Sequence, residues 1–255
     1  MKPKFLILFL ILILILFSCR AQKEYYSEKA ASHKEIAKIY IKENRYTEAL
    51  NELELAKSAD KCDPEIYNLL GLVYMGKNEY SKAEENLNEA IKLDPNFSEA
   101  YNNLGSLKML QEKYKEAIEY FDKALKNPYY VNSFIARTNL GWAYYQLKDK
   151  DKAISTLLEA FRENPRYPKT LIYLGLIYLN EGDLNSAEFY FQQALKLDKT
   201  SGEARYYLGE IYFKKGDRTK AEELWQSIIY LSPDSEWANK ATQRLFLLKK
   251  SSLNP

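Results

Sequence analysis

The sequence predicts an all-α solenoid of about six helix-turn-helix repeats closed by a C-terminal capping helix. Three observations point to it. Small residues recur at a nearly constant period: Ala49, Ala83, Ala117, Ala153, Ala187 and Ala221 are separated by 34, 34, 36, 34 and 34 residues. Two further series keep step. Ala37, Gly71, Gly105, Gly141, Gly175 and Gly209 lie twelve residues upstream, and Ala56, Ala90, Ala124, Ala160, Ala194 and Ile228 seven downstream. Finally, only 9 glycines and 8 prolines occur in 255 residues, which suits long helices better than turn-rich sheets.

Within each repeat the recurring residues stand at positions 4, 7, 8 and 11 of a first helix and at 20, 24 and 27 of a second. Spacings of three and four place each set on one helical face. A glycine inside a helix costs about 1 kcal/mol relative to alanine. Five repeats accept it at position 8, so the second helix must come close there. A lone hairpin leaves an apolar face that only a stacked neighbour can bury. Tyrosines such as Tyr40, Tyr144 and Tyr178 are therefore expected to be packing residues.

The repeats read as 30–63, 64–97, 98–131, 134–167, 168–201 and 202–235. The two extra residues between the third and fourth, near Asn127 to Ser133, predict a longer loop or a slight kink. Beyond 235, Trp237, Ala241, Leu245 and Leu248 recur at helical spacing among Asn239, Lys240, Gln243, Arg244 and Lys249. That is the pattern of a capping helix, placed at 236–250. Residues 19–29 read as a tether.

These residues resemble the tetratricopeptide repeat. That family has an aromatic, Leu-Gly and Tyr in a first helix, then Ala, a large apolar residue and Ala in a second, with Pro at the end. The second repeat carries Tyr67, Leu70-Gly71, Tyr74, Ala83, Leu87, Ala90 and Pro95, and the sixth Leu208-Gly209, Tyr212, Ala221, Trp225 and Pro233. The resemblance covers roughly residues 30 to 235 and implies a superhelical scaffold for protein partners.

The N-terminus reads as an export signal over residues 1–18. Lys2 and Lys4 precede an unbroken apolar run of 13 residues, Phe5 to Phe17. A spanning helix needs about 20 apolar residues, so the run suits a signal peptide better. Leu16-Phe17-Ser18-Cys19 resembles a lipobox, apart from the bulky Phe17. The resemblance implies cleavage before Cys19 and acylation of Cys19. Several acyl chains make stable anchoring. In that family an Asp after the cysteine marks inner-membrane retention; Arg20 stands there instead, which implies the periplasmic face of a bacterial outer membrane.

Charge excludes one partner class. With Lys2 and Lys4 removed, 35 basic residues face 35 acidic ones, and no long basic block remains to neutralise phosphates, so nucleic acid is not an expected partner. Catalysis finds no support either. His33 is the single histidine and reads as a solvated helix residue; Cys62, the thiol left after Cys19, reads as partly buried and inert. No His/Cys cluster has metal-ligand spacing and no phosphate loop occurs. No enzymatic activity, metal or cofactor is expected.

In tetratricopeptide proteins the first helices line a concave surface, with positions 2, 5, 9, 12 and 13 commonly facing the partner. Here those positions bring Leu72, Met75, Met109, Leu110, Trp142, Tyr145, Ile172, Leu176, Leu179, Tyr206 and Phe213. Such an apolar lining suits a helix or extended apolar segment of a protein partner. Position 12 and Trp142 admit a second reading, as core that packs on neighbouring helices. A Lys and Asn clamp for chain termini is missing, since Leu69 and Glu99 stand at corresponding positions.

A lipidated cysteine, six repeats and a capping helix also resemble the type IV pilus biogenesis lipoproteins, or pilotins. That resemblance implies an escort of a secretin subunit to the outer membrane. The alternative is a periplasmic lipoprotein adaptor for peptidoglycan hydrolases or outer-membrane protein assembly.

Overall fold

The structure, a computed structural model, describes residues 28–253. The expected signal segment 1–18, Cys19 and most of the expected tether lie outside the described residues. Among those described, thirteen helices and no strand occur. The chain divides into two compact bodies, Met1–Tyr130 and Val131–Pro255. The division falls in the loop that holds the two extra residues.

The N-terminal body contains α1 (28–42), α2 (Tyr46–Ala59), α3 (Pro64–Gly76), α4 (Tyr80–Leu93), α5 (Ser98–Leu110) and α6 (Tyr114–Leu125). The C-terminal body contains α7 (Ser133–Gln146), α8 (Lys150–Glu163), α9 (Pro168–Asn180), α10 (Leu184–Leu197), α11 (Gly202–Lys214), α12 (Arg218–Leu231) and α13 (Glu236–Leu253). Helix is already present at residue 28, with Ala30 buried, so residues 28 and 29 are helix rather than tether.

Local chemistry accounts for the helix ends. Pro168 opens α9, and Pro64 opens α3 behind Asp63, whose carboxylate accepts from the Glu65 amide at 2.9 Å. Asp149, Asp183 and Asp217 cap α8, α10 and α12 by accepting from the N3 amides. The tight turn inside every repeat holds one left-handed residue, Asn44, Asn78, Glu112, Lys148, Gly182 or Gly216. The next residue then donates its N–H five residues back, from Arg45 to Tyr40 (2.8 Å) through Asp217 to Tyr212 (2.9 Å). Between repeats, Asp60, Asp94, Asn127, Asn164 and Asp198 each accept from the amide two residues on, closing the turn into the next first helix.

The core is the three small-residue series and what packs on them. Ala49, Ala83, Ala117, Ala153, Ala187 and Ala221 are all fully buried. The position-8 glycines receive a large side chain from sixteen residues on. A Cβ at Gly71 would lie 2.6 Å from Leu87 Cγ, at Gly105 2.5 Å from Phe121 Cε1, and at Gly141 2.7 Å from Leu157 Cγ. The sequence predicted close backbone approach; the nearest atoms are side-chain atoms instead, with the Ala83 and Ala153 carbonyls farther off at 3.4 and 3.2 Å. Burying each such Leu or Phe stabilises by about 1.5–3 kcal/mol, more than the glycine costs.

At the C-terminal end, Ala238, Ala241 and Leu248 of α13 cover Trp225 and Ile228 of α12. The cap is not polar all round. Arg244, one of its polar residues, makes a bidentate pair with Glu210 of α11, and Phe246 and Leu247 are exposed. Two other expectations are corrected. His33 is not solvated, because its Nδ1 lies 2.6 Å from the Glu52 carboxylate in a half-buried contact between α1 and α2. Cys62 is exposed, because it sits in the turn whose amide is held by Asp60.

Candidate protein-binding surfaces

In the N-terminal body the apolar positions come from α3 and α5. Leu72 is half-buried on the cluster of Ile66, Leu69 and Leu70, and Met75 on the cluster of Leu104 and Leu107. Met109 is half-buried and Leu110 is 54% exposed. Polar contacts tie α5 to α3 and to the second helices α4 and α6 beside these residues. Asn103 donates to Asn68 at 2.8 Å across α5 and α3. Lys108, almost fully buried, is held by Glu84 at 2.7 Å and Glu116 at 3.4 Å. The surface is thus a row of partly exposed aliphatic and thioether groups on a frame stitched by polar contacts.

In the C-terminal body the surface is aromatic. Trp142 of α7 stacks on Tyr173 of α9 with centroids 4.4 Å apart and planes 13° apart, and on Tyr145 at 5.2 Å. The Tyr145 hydroxyl accepts from Asn180 at 2.9 Å, which fixes the ring across two repeats. Burial pushes the Tyr173 phenol up, and nearby Glu203 adds to that. Burial also raises the Glu203 carboxyl against the opposing pull of Lys169 and Lys240, with Glu236 adding to the rise. Farther along, Tyr206 lies 5.5 Å from Trp237 and Phe213 lies 6.0 Å from Trp225.

Not every residue expected on this surface is available there. Ile172 and Leu179 are buried in the cluster with Leu171, Phe191 and Leu208, so they are core. Leu176 is half-buried on the same cluster. The reason is local. α9 packs chiefly on α10, whose Ala187, Phe191 and Ala194 close over Ile172 and Leu179 together with Ala204, Leu208 and Ile211 of α11. Among the described residues no His, Cys, Asp and Glu group could hold a metal ion, and no helix is long and apolar enough to cross a membrane.

Models of the tetratricopeptide repeat match residues 64–97, 97–162 and 178–243, together well over half of the chain. The chain is a tetratricopeptide repeat protein.

Comparison with curated proteins finds no match for this repeat protein. Solved structures do match. PilF of Pseudomonas aeruginosa is 18% identical, with 86% of this chain covering 99% of that one at a TM-score of 0.67. PilW, a widely conserved type IV pilus biogenesis factor, is 22% identical, with 84% covering 98% at 0.70. A thermophilic repeat protein of Thermus thermophilus is 23% identical, with 72% covering 99% at 0.63. At these identities the likeness is one of fold.

The aromatic partners Tyr173, Tyr207 and Trp237 were absent from the sequence-based set. Position 6 of the repeat carries Tyr173 and Tyr207, and the repeat pattern assigns no partner-facing role to it. A signal did exist: Trp142 and Tyr173, like Tyr206 and Trp237, are 31 residues apart, three short of one repeat, so that one aromatic of each pair stands one helical turn earlier in register than the other, on neighbouring first helices for the first pair and on α11 and the capping helix α13 for the second.

Proposed function

We propose that this tetratricopeptide repeat protein is a lipid-anchored scaffold of the bacterial envelope, and that its partner is a secretin whose assembly it assists during type IV pilus biogenesis. The reading rests chiefly on extent. PilW and PilF match this chain over 98% and 99% of their own lengths, and PilW is a type IV pilus biogenesis factor. A lipobox-like Leu16-Phe17-Ser18-Cys19 supports anchoring through Cys19 at the periplasmic face of the outer membrane. The half-exposed Trp142 and Tyr145, with Leu110 exposed in the other body, supply apolar contacts of the kind an apolar helix or extended segment needs.

The test is a pull-down from detergent-solubilised envelopes with the wild type, Leu110→Glu, and Trp142→Ala/Tyr145→Ala. A thermal melt accompanies each variant, because Trp142 also packs on Tyr173. Recovery of a secretin by the wild type and its loss in a variant that still melts cooperatively supports the reading. Recovery of peptidoglycan hydrolases or outer-membrane assembly factors without secretin favours the adaptor alternative.

A further inference from the structure

The first helices of the fourth and sixth repeats carry an arginine at the same place, four residues into the repeat. In the fourth, Arg137 of α7 is neutralised by α8: its guanidinium meets Glu159 at 3.0 Å and Glu163 at 2.9 Å. Those glutamates stand 22 and 26 residues after the arginine. In the sixth repeat the same offsets from Arg205 fall on Ser227 and Leu231 of α12. The internal counter-ions are gone. Arg205 gives one Nη hydrogen to the Lys199 carbonyl, and its Nε is buried with no acceptor. Among the described residues no carboxylate lies at ion-pair distance from it.

This cation borders a hollow of about 420 Å³ between α10, α11 and α12. Leu195, Leu208 and Leu224, one from each helix, give it an apolar lining. Lys220 stands at the rim with its ammonium 4.4 Å from the Tyr212 ring centroid, and among the described residues it too lacks an ion-paired carboxylate. Glu223 also lies on the rim and pairs with neither cation. A partly desolvated guanidinium with an unsatisfied N–H is costly, and a carboxylate is the group that satisfies it best.

We propose that this hollow is a docking site for an acidic amphipathic segment of a protein partner, in which a Glu or Asp stands next to an apolar side chain. The carboxylate meets the outer guanidinium nitrogens of Arg205 as Glu159 meets those of Arg137, and the apolar side chain covers Leu195, Leu208 and Leu224. Arg205 and Leu208 are three residues apart on α11, so charge and apolar group must be close together in the ligand as well. The site uses none of the residues of the aromatic surface tested by Trp142→Ala/Tyr145→Ala, and it stands or falls independently of the secretin reading.

The experiment uses the full chain in detergent and a fluorescein-labelled, amidated hexapeptide Leu-Glu-Ala-Leu-Glu-Ala, with its Glu-to-Gln counterpart as control. Fluorescence polarisation is expected to show binding of the charged peptide about tenfold tighter than the control, as a charge-assisted pair requires. Arg205→Gln is expected to erase that difference. Ser227→Glu/Leu231→Glu restores the internal counter-ions; it is expected to erase the difference too, with a melting temperature no lower than the wild type's. The melt separates a filled site from a misfolded one. Equal binding of the two peptides, no binding below about 1 mM, or an unchanged difference in Arg205→Gln overturns the proposal.

Discussion

The indole of Trp225 fills the space that a side chain on Gly209 would need: a Cβ there would press on Nε1 and lie 2.8 Å from both Cδ1 and Cε2. The ring cannot easily retreat, because it is almost fully buried and Nε1 donates to the Tyr206 carbonyl at 3.3 Å. Gly209→Ala is therefore expected to destabilise the protein by about 1–3 kcal/mol through overpacking, even though alanine gains about 1 kcal/mol in helix propensity. Urea unfolding of the variant checks it; a net gain in stability would contradict this packing.

The intra-repeat turns predict changes of the opposite sign. Glu112 and Lys148 hold φ of 59° and 65°, where Gly216 holds 87° in the sixth repeat. A left-handed conformation costs a residue with a Cβ about 1–2 kcal/mol, partly offset by the greater chain entropy that glycine loses on folding. Glu112→Gly and Lys148→Gly should each stabilise by about 0.5–1 kcal/mol. The increments should add, since the two turns belong to different repeats and share no partner. Thermal melts of the two single variants and the double variant read this directly.

Thr138 and Thr170 share a fully buried hydrogen bond of 2.7 Å between α7 and α9. Thr138 also donates to the Phe134 carbonyl at 2.7 Å. With its single hydrogen spent there, Thr138 must accept from Thr170. Thr138→Val then strands a buried donor and should cost about 1–3 kcal/mol, whereas Thr170→Val removes the donor and should cost less. The double substitution should be milder than the sum. A double-mutant cycle in urea decides it.

Acid sensitivity has an identifiable contributor. Burial by itself would raise the Glu188 carboxyl, but hydrogen bonds from Lys215 (2.6 Å) and Tyr212 (2.5 Å), aided by the charges of Lys215 and Lys220, hold it below the ordinary carboxylate value. A lowered folded-state pKa means that the stabilisation is present above the unfolded value, about 4.3, and is lost as pH falls through the folded one. The urea midpoints of wild type and Glu188→Gln should differ at neutral pH and converge in acid. A difference that persists below the folded pKa would assign the effect to packing.

How much of the candidate surface was legible depends on the residue. Trp142, Tyr145 and Leu110 were expected at the surface and are at least partly exposed. Ile172 and Leu179 occupy positions chosen by the same rule and are buried. A repeat position specifies which way a side chain leaves its helix, but not how far the neighbouring helices close over it. The aromatic stack was missed for a related reason: Tyr173 meets Trp142 only because two helices from different repeats lie side by side.

By itself the sequence determined the all-α repeat architecture, its phase and its irregular junction. Helices that pack this closely demand small residues at the contact and a large one opposite, and that demand recurs at intervals of 34 residues, or 36 across the irregular junction. The tertiary structure alone decided which cations and apolar groups have partners. His33 finds Glu52, and Arg244 finds Glu210. Arg137 finds two glutamates, while Arg205 finds none among the described residues. Such pairings join residues 19 to 34 positions apart in the chain, and the series of small residues that sets the repeat does not by itself specify them.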